Sequence, residues 1–139
     1  MAKKIRLDIV TPEKVAYSDD ANMVIARTTA GDIGILPGHA PLIAALVTWP
    51  LRIVTDNGEI QISLCGGFIE VQPEKITILA NCAELPEEID VPRAQTAKER
   101  AESRLQGSKD AIDVARAEAA LKRAMIRLTV ANYDKQHKM

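Results

Sequence analysis

The first part of the chain alternates apolar and polar residues with a period of two. In "IRLDIV", Ile5, Leu7 and Ile9 alternate with Arg6 and Asp8. Successive side chains of a strand point to opposite faces, so this alternation predicts strands that are buried on one side. Several short segments of this kind, with no helical period between them, predict a β-sandwich or flattened barrel.

Two segments predict β-hairpins. "LRIVTDNGEIQISL" alternates on both sides of Asn57-Gly58, a dipeptide that tolerates positive φ at both positions and therefore predicts a primed turn. "FIEVQPEKITIL" predicts a second hairpin with its turn at Pro73-Glu74. The apolar residues that face each other across this second hairpin are Ile69 and Val71 on one arm and Ile76 and Ile78 on the other.

The pattern changes near Ile89, where frequent alanines replace most of the glycine and proline. Asp90 can cap a helix, and Pro92 suits its first turn because the missing N–H costs little there. This first helix is predicted to run to about Gln106. Gly107 follows it and is predicted to end it in the left-handed conformation.

A second helix is predicted over residues 109–132, with Ser108 as its cap. A short connection makes the two helices antiparallel, so that they form a hairpin. Its predicted seam is Ala94, Ala97, Ala101 and Leu105 against Ile112, Ala115 and Ala119. Alanine buries little area, and burial contributes about 25 cal/mol per Å². The hairpin must therefore rest on the β half or on a partner, and it can exchange between them.

We therefore predict an α+β fold in two parts. Residues 1–86 form an N-terminal antiparallel β-sandwich, or flattened barrel, and residues 87–139 form a C-terminal antiparallel α-helical hairpin. The charge divides near the same place. Residues 1–89 hold 7 basic and 12 acidic side chains, a balance of -5, and residues 90–139 hold 11 basic and 7 acidic, a balance of +4. This asymmetry indicates that the two parts meet different partners, or each other.

Composition excludes several classes of function. Of the 139 residues, 47% are hydrophobic and 27% are charged, which is typical of a soluble globular protein. No apolar run has the length of a signal peptide or of a transmembrane helix. A pI near 6.1 and an aromatic content of 3% argue against nucleic-acid binding. We see no nucleophile–base set, phosphate loop or cofactor fingerprint, so we predict no catalytic residue and no independent enzyme.

The two cysteines, Cys65 and Cys82, stand alone in the sequence. Free cysteine packs as a small hydrophobe, and we expect both to be buried in this way. A metal site would need more ligands than these two. A structural disulfide fits poorly in a chain with no sign of export.

The stretch "GDIGILPGHAPLIAAL", residues 31–46, is mostly apolar although it is broken by glycine and proline. It is predicted to be a loop, because it is too interrupted for a helix or a regular strand. Its apolar side chains can fold inward as core or face a partner. We expect about half of the larger ones to be core and the tip of the loop to be an interface. The side chains in question are Ile35, Leu36, Leu42 and Ile43.

"AGDIGILPGHAPLIAAL", "CGGFIEV" and the alanine-rich helical tail occur in this order and together closely resemble the epsilon subunit of the bacterial rotary ATP synthase. The resemblance covers essentially the whole chain. It implies a non-catalytic subunit of the central stalk of the proton-translocating enzyme, between the gamma subunit and the c ring. It also implies a peripheral location on the cytoplasmic face of the bacterial cell membrane, which the chain contacts only through the complex.

The same resemblance implies two contact regions on the rotor. Gly31 and Asp32 would touch the polar loops of the c ring. The second segment would lie near the gamma subunit; its residues are His39, Ala40, Pro41 and Leu42. Glycine allows close backbone approach and proline keeps the segment in shape, so little entropy is lost on docking.

"IDVPRA" matches the I-D-x-x-R-A pattern by which some bacterial members of this family bind ATP. The site that the resemblance implies consists of Glu84, Ile89, Asp90, Arg93, Ala94, Arg100, Arg123 and Arg127. Residues four or seven apart share a helix face, so the four arginines can converge on phosphate oxygens, which arginine binds bidentately. Asp90 and the Ile89 backbone would serve adenine, Glu84 would serve ribose, and Ala94 would leave room. The alternative is that the arginines form only a solvated basic face.

Family resemblance also implies regulation of ATP hydrolysis. The hairpin would extend along gamma to acidic segments of the catalytic beta subunits, with alpha nearby, and block hydrolysis in that state. Folded down on the sandwich, it would bind ATP as a regulatory ligand and permit rotation. No cofactor is required for this role. The alternative function is a stand-alone nucleotide-sensing adaptor protein.

Overall fold

The computed structural model describes residues 3–107 and 110–137. The strands are β1 Ile5–Val10, β2 Val15–Ala21, β3 Met23–Thr28, β4 Gly31–Ile35, β5 Leu42–Leu46, β6 Trp49–Thr55, β7 Gly58–Leu64, β8 Gly67–Val71, β9 Lys75–Ala80 and β10 Ala83–Glu84. A 3₁₀ turn, Pro86–Glu88, leads to helices α1, Val91–Gly107, and α2, Ala111–His137. The predicted fold class, a β-sandwich followed by a helical hairpin, is confirmed. The predicted cap Ser108 and helix start Lys109 lie outside the described residues.

The ten strands form one strongly curved sheet in the order β10-β7-β6-β3-β5-β8-β9-β1-β2, with β4 paired to β3. All pairings are antiparallel except β1 with β9. The sheet encloses an aliphatic core, as expected for a chain with so few aromatic residues. Its large, fully buried side chains are Ile5, Leu7, Ile9, Ile35, Leu51, Ile53, Ile62, Ile69, Ile76, Ile78, Val24 and Val71.

Both predicted hairpins are present, but the primed turn predicted for the first hairpin was wrong. In the β8–β9 hairpin the predicted pairs face each other, Ile69 with Ile78 and Val71 with Ile76.

In the β6–β7 turn, only Gly58 has a positive φ, +115°. The Thr55 hydroxyl accepts the Asn57 N–H at 3.2 Å and donates to the Gly58 carbonyl at 2.8 Å. Thr55 pairs with Gly58 across the turn, so the two central residues are Asp56 and Asn57, and neither has a positive φ. The turn is therefore not primed.

Residues 31–46 contain two regular strands, contrary to the predicted loop. β4 pairs with β3, and β5 pairs with β8, so neighbouring strands supply the hydrogen bonds that the local sequence does not reveal. The expected division of the side chains is confirmed. Ile35 is buried and Leu42 packs against the core, while Leu36 and Ile43 are exposed.

Helix α1 begins at its predicted cap, whereas the described part of α2 begins at Ala111 and ends later than predicted. Asp90 caps α1, its Oδ1 accepting the Arg93 N–H at 3.1 Å. Gly107 is still assigned to α1 and has no positive φ, so the predicted left-handed stop was wrong. α2 begins after Asp110, whose carboxylate accepts the Ile112 N–H at 2.8 Å. It continues to His137, beyond the predicted end.

The predicted seam is right on α1 and out of register on α2. Ala94 and Ala101 are buried, and Ala97 and Leu105 are half-buried. On α2 the predicted residues Ile112, Ala115 and Ala119 are exposed, whereas the buried positions are Ala117, Ala124, Ile126 and Val130. α2 contacts both α1 and the strands β6 and β7. Its buried face is therefore set by two neighbours, of which the sequence reasoning used only one.

Cys65 and Cys82 form a disulfide, which corrects the expectation of two free thiols. They lie just beyond the paired strands β7 and β10, and the Cys65 N–H donates to the Cys82 carbonyl at 3.0 Å. Their Cα atoms are 5.2 Å apart, within the range of disulfides. Strand pairing brings together residues that are 17 apart in sequence, and the composition gave no sign of that pairing.

Candidate functional site

A cleft opens where the sandwich, the connecting segment and both helices meet. Its volume is about 610 Å³, which is within the range of small-molecule sites. β10 contributes one residue, the connecting segment two, α1 five and α2 one. The lining residues are Glu84, Glu88, Asp90, Arg93, Ala94, Thr96, Ala97, Arg100 and Arg127.

Six of the eight residues predicted for ATP line this cleft: Glu84, Asp90, Arg93, Ala94, Arg100 and Arg127. Two do not. Ile89 is buried beside Ile126 and Val130, and Arg123 is exposed on α2, one turn before Arg127.

Sequence reasoning missed Glu88, Thr96 and Ala97 as lining residues. Thr96 and Ala97 lie between Arg93 and Arg100 at the three- and four-residue spacing of one helix face. That spacing was the available signal.

The cleft holds three guanidinium groups and three carboxylates, but the carboxylates are all engaged. Arg127 donates to Glu84 in an ion pair that joins α2 to β10. Glu88 pairs with Lys14 of the sandwich, and Asp90 caps α1.

Among the described residues, Arg93 and Arg100 of α1 form no ion pair. They face the cleft two turns apart on the same helix. The cleft therefore offers unpaired positive charge to an anionic ligand.

Glu88 is held in its ionised form. Its pKa lies below the ordinary glutamate value, chiefly because Lys14 donates a hydrogen bond to the carboxylate and secondarily because the Leu85 N–H does so. Partial burial opposes both effects. The ionised form places a paired negative charge in the lining of the same cleft as Arg93 and Arg100.

A small apolar cluster joins α2 to the connecting segment, and α2 also contacts strands β6 and β7. Ile89, Ile126 and Val130 are buried together, with Ala131 packed against them, and this cluster is separate from the sandwich core. The Glu84–Arg127 and Lys14–Glu88 pairs are the ion pairs nearby. This cluster is much smaller than the sandwich core, so it contributes less to stability than folding of the sandwich does.

The first predicted rotor contact lies at the β3–β4 turn. Gly31 has φ +119°, and Asp32 accepts two hydrogen bonds from Arg27 at 2.8 and 3.1 Å. The Arg27 guanidinium lies 3.7 Å from the centroid of the Trp49 ring. Asp32 is therefore exposed but fixed in place, and the hydrogen bonds from Arg27 lower its pKa.

The second predicted rotor contact, residues 39–42, follows a short loop. The His39 Nδ1–H donates to the Ala40 carbonyl at 2.6 Å, and the Gly38 N–H donates to Pro73 at 2.7 Å. His39 and Leu42 are half-buried, whereas Ala40 and Pro41 are exposed. The segment is thus tied to the β8–β9 turn and presents its exposed residues to solvent.

An exposed apolar patch lies beside this segment and was missed from the sequence. Ile43 of β5, Phe68 of β8 and Leu79 of β9 are exposed by 72%, 59% and 57%. They lie on three adjacent strands and line one shallow depression with Glu70 and Thr77. The signal was in "GFIEV", where the chain's only phenylalanine occupies the same face as Glu70. Large exposed apolar patches of this kind mark interaction surfaces.

Two further findings concern residues 3–107 and 110–137. No helix in these ranges is long and apolar enough to cross a membrane. No group of three or more His, Cys, Asp or Glu side chains within them is arranged to hold a metal ion.

Comparison with known proteins gives a consistent result over both parts of the chain. The family model for the ATP synthase delta/epsilon chain beta-sandwich domain matches residues 4–86. The model for the long alpha-helix domain of the same chain matches residues 87–132.

Two relatives match over nearly their full length. The ATP synthase epsilon chain of Alkalihalophilus pseudofirmus is 54% identical over 127 residues, which cover 91% of this chain and 96% of that protein. The epsilon chain of Desulforamulus reducens is 47% identical over 131 residues, 94% and 99% of the two chains.

Solved structures share the fold. A chain in the mitochondrial ATP synthase of Euglena gracilis, solved as OSCP/F1/c-ring, matches 96% of this chain and 82% of its own, with a TM-score of 0.77 at 24% identity. A chain in the central stalk/c-ring structure of the Tetrahymena thermophila mitochondrial ATP synthase matches 93% and 97%, with a TM-score of 0.62 at 17% identity. Likeness at these identities establishes the fold.

Proposed function

Because the chain belongs to the ATP synthase delta/epsilon chain family, we propose that it is a non-catalytic central-stalk subunit whose helical hairpin binds ATP when folded on the sandwich. The observation that carries this proposal is the cleft itself. Six of the residues expected to bind ATP line one cavity between the two parts of the chain, although they come from three separate segments. A solvated basic face would not need this convergence.

Each side of the cleft has a part in binding. Arg93 and Arg100 form no ion pair with another residue of 3–107 or 110–137, and they would take the phosphates, since guanidinium groups bind phosphate oxygens bidentately. Arg127 is held by Glu84 and would join them when Glu84 turns to the ribose. Asp90 and the Ile89 backbone would serve adenine, beside the small side chain of Ala94. Arg123 lies outside the cleft, and its side chain would reach phosphate only if it bent around α2.

Calorimetric titration with ATP and ADP tests this site. We expect saturable binding, tighter for ATP because the third phosphate meets additional guanidinium contacts. The Asp90→Ala/Arg93→Ala variant should bind about 100-fold more weakly, since charged hydrogen bonds contribute roughly 1.5–3 kcal/mol each.

Arg104→Ala is the matched control, because Arg104 is exposed on α1 outside the cleft. Equal losses in the two variants, or no binding at millimolar ATP, would contradict an ATP site here.

The hairpin would regulate ATP hydrolysis by moving. Its docking rests on contacts of α2 with β6 and β7, on the Glu84–Arg127 ion pair and on the Ile89–Ile126–Val130 cluster. This cluster is much smaller than the sandwich core, so release costs less than unfolding the sandwich. Once released, its basic side chains would meet acidic segments of the catalytic beta subunits, with alpha nearby. ATP binds only the docked state in this proposal, and to reverse a hundredfold preference it needs about a 10⁴-fold difference in affinity.

The sandwich would join the rotor through the two described regions. Gly31 and Asp32 would contact the c ring, while residues 39–42 and the neighbouring apolar patch would contact gamma. Such a position makes the protein peripheral, on the cytoplasmic face of the bacterial membrane, in a proton-translocating complex. The membrane is reached only through partner subunits.

Phe68→Glu is expected to weaken binding to the gamma subunit by about 30-fold or more. Central aromatic side chains of interfaces commonly contribute at least 2 kcal/mol. Phe68 is 59% exposed, so the substitution should leave the fold intact. The measurement is co-purification or titration with gamma.

Ile112→Glu, at an exposed position on α2, is the control. If neither substitution affects gamma binding, the patch is not the docking surface. If the unmodified chain does not bind gamma at all, the adaptor alternative is favoured.

A further inference from the structure

The turn between β1 and β2 is a rigid support for Lys14. The Thr11 hydroxyl accepts the N–H groups of Glu13 and Lys14 at 3.3 and 3.2 Å. The Thr11 N–H donates to the Lys14 carbonyl at 2.9 Å, and Pro12 fixes one further backbone angle. Lys14 therefore projects from a defined point on the sandwich.

The Lys14 side chain reaches across to the segment that leads into the hairpin. Its Nζ donates to Oε2 of Glu88, the last residue of the 3₁₀ turn. The other carboxylate oxygen accepts the Leu85 N–H at 3.0 Å. The Glu88 N–H donates back to the Leu85 carbonyl at 3.0 Å. One carboxylate thus closes the turn and attaches it to the sandwich.

The residues that follow Glu88 begin the cleft. Ile89 enters the apolar cluster under α2, and Asp90 caps α1 and lines the cleft. A smaller depression, of about 350 Å³, includes Lys14, adjoins the cleft and shares Glu84, Glu88 and Arg127 with it. Movement of Glu88 would therefore move the start of α1 relative to β10.

We propose that Lys14 is a positioning residue for the cleft. It holds the connecting segment, residues 85–90, on the sandwich and neutralises Glu88, so that Asp90 and Arg93 line the cleft together with Glu84 before a ligand arrives. The part of this inference that concerns ligand affinity rests on the proposed ATP site, whereas the part that concerns the connecting segment does not.

The Lys14–Glu88 pair differs from an ordinary surface ion pair, although both side chains are partly exposed. Isolated exposed pairs contribute little. Here the same carboxylate also accepts the Leu85 N–H, so loss of Lys14 frees a carboxylate that closes a backbone turn. The expected effects are consequently modest and local to residues 85–90.

Amide hydrogen exchange of the ligand-free full chain tests the tether. In Lys14→Ala, exchange within residues 85–90 should accelerate about three- to tenfold, while Lys14→Arg should keep most of the protection. Lys4→Ala is the matched control, because it removes a lysine whose carboxylate partner, Asp56, lies at the β6–β7 turn. Unchanged exchange in Lys14→Ala would overturn the proposal.

Titration with ATP then distinguishes a positioning role of Lys14 from a simple effect of the negative charge of Glu88. Lys14→Ala should weaken ATP binding about three- to tenfold. Glu88→Gln removes the negative charge from the cleft but also weakens the tether, so a positioning role predicts faster exchange and no gain in affinity. A gain in affinity with unchanged exchange would mean that only charge matters and would overturn the positioning role. If the unmodified chain binds no ATP, the proposed site fails, and the exchange result alone still decides the role of Lys14.

Discussion

Replacement of Gly67 by alanine is expected to destabilise the sandwich by about 3–5 kcal/mol. Gly67 has φ +123°, and a Cβ there would lie 2.8 Å from Ala80 Cα and closer still to the Leu79 carbonyl oxygen. Holding a non-glycine residue in such a conformation costs about 1–3 kcal/mol, and overpacking adds about 1–3 kcal/mol. Both contacting atoms belong to the backbone of the neighbouring strand β9, which pairs directly with Gly67. Movement of a side chain therefore cannot relieve the clash.

Denaturant unfolding measures this loss, and Gly58→Ala is its control. Gly58 also has a positive φ, +115°, but a Cβ there would meet nothing within 4 Å. Gly58→Ala should lose only the free energy of unfolding that corresponds to holding alanine at a positive φ, about 1–3 kcal/mol. A loss for Gly67→Ala no larger than for Gly58→Ala would show that the close approach of β9 is unimportant. Since whole domains are stable by about 5–15 kcal/mol, the expected loss would be visible in expression and solubility.

Much of the fold could be predicted because local patterns agreed with tertiary structure. The alternation around Ile5, Leu7 and Ile9 is that of a strand buried on one face, and all three are fully buried. The β8–β9 hairpin pairs as its apolar positions indicated. Asp90 caps α1 because capping depends on a few adjacent residues.

The errors arose where distant partners decide the local structure. The glycine-broken stretch forms β4 and β5 because β3 and β8 complete their hydrogen bonding. The buried face of α2 is set by α1 and the sheet together. Cys65 and Cys82 meet because β7 and β10 pair, and no local pattern encodes that pairing.

The candidate site shows the same contrast between residues that local patterns predict and residues that tertiary packing places. Six cleft residues could be named from the family resemblance and its motif, since α1 and its cap residue Asp90 carry four of them. Arg123 was expected in the cleft but is exposed, because the rotation of α2 depends on its packing. The Glu84–Arg127 and Lys14–Glu88 pairs join residues 43 and 74 positions apart, so only the folded chain reveals them.

Val130→Asp is expected to release the hairpin while the sandwich stays folded. Val130 is fully buried in the small cluster with Ile89 and Ile126, and this cluster is separate from the sandwich core. An unpaired buried carboxylate costs several kcal/mol, and the apolar contact is lost as well. The docked state should therefore lose more than 100-fold in population relative to the released state, since about 2.8 kcal/mol corresponds to that factor.

Amide exchange and the fluorescence of Trp49 measure the release. Trp49 is the chain's only tryptophan, and Lys122 Nζ of α2 lies 5.9 Å from the centroid of its ring. Release should therefore change its emission, expose the amides of α2 to exchange and weaken ATP binding, while the strands remain protected.

Met125→Asp makes the same charge change at an exposed position of the same helix and should have none of these effects. Protection of α2 that survives in Val130→Asp would mean that the cluster does not hold the hairpin. Loss of the sandwich together with the hairpin would mean that the two parts are not independent, and a hairpin that moves alone would then be untenable.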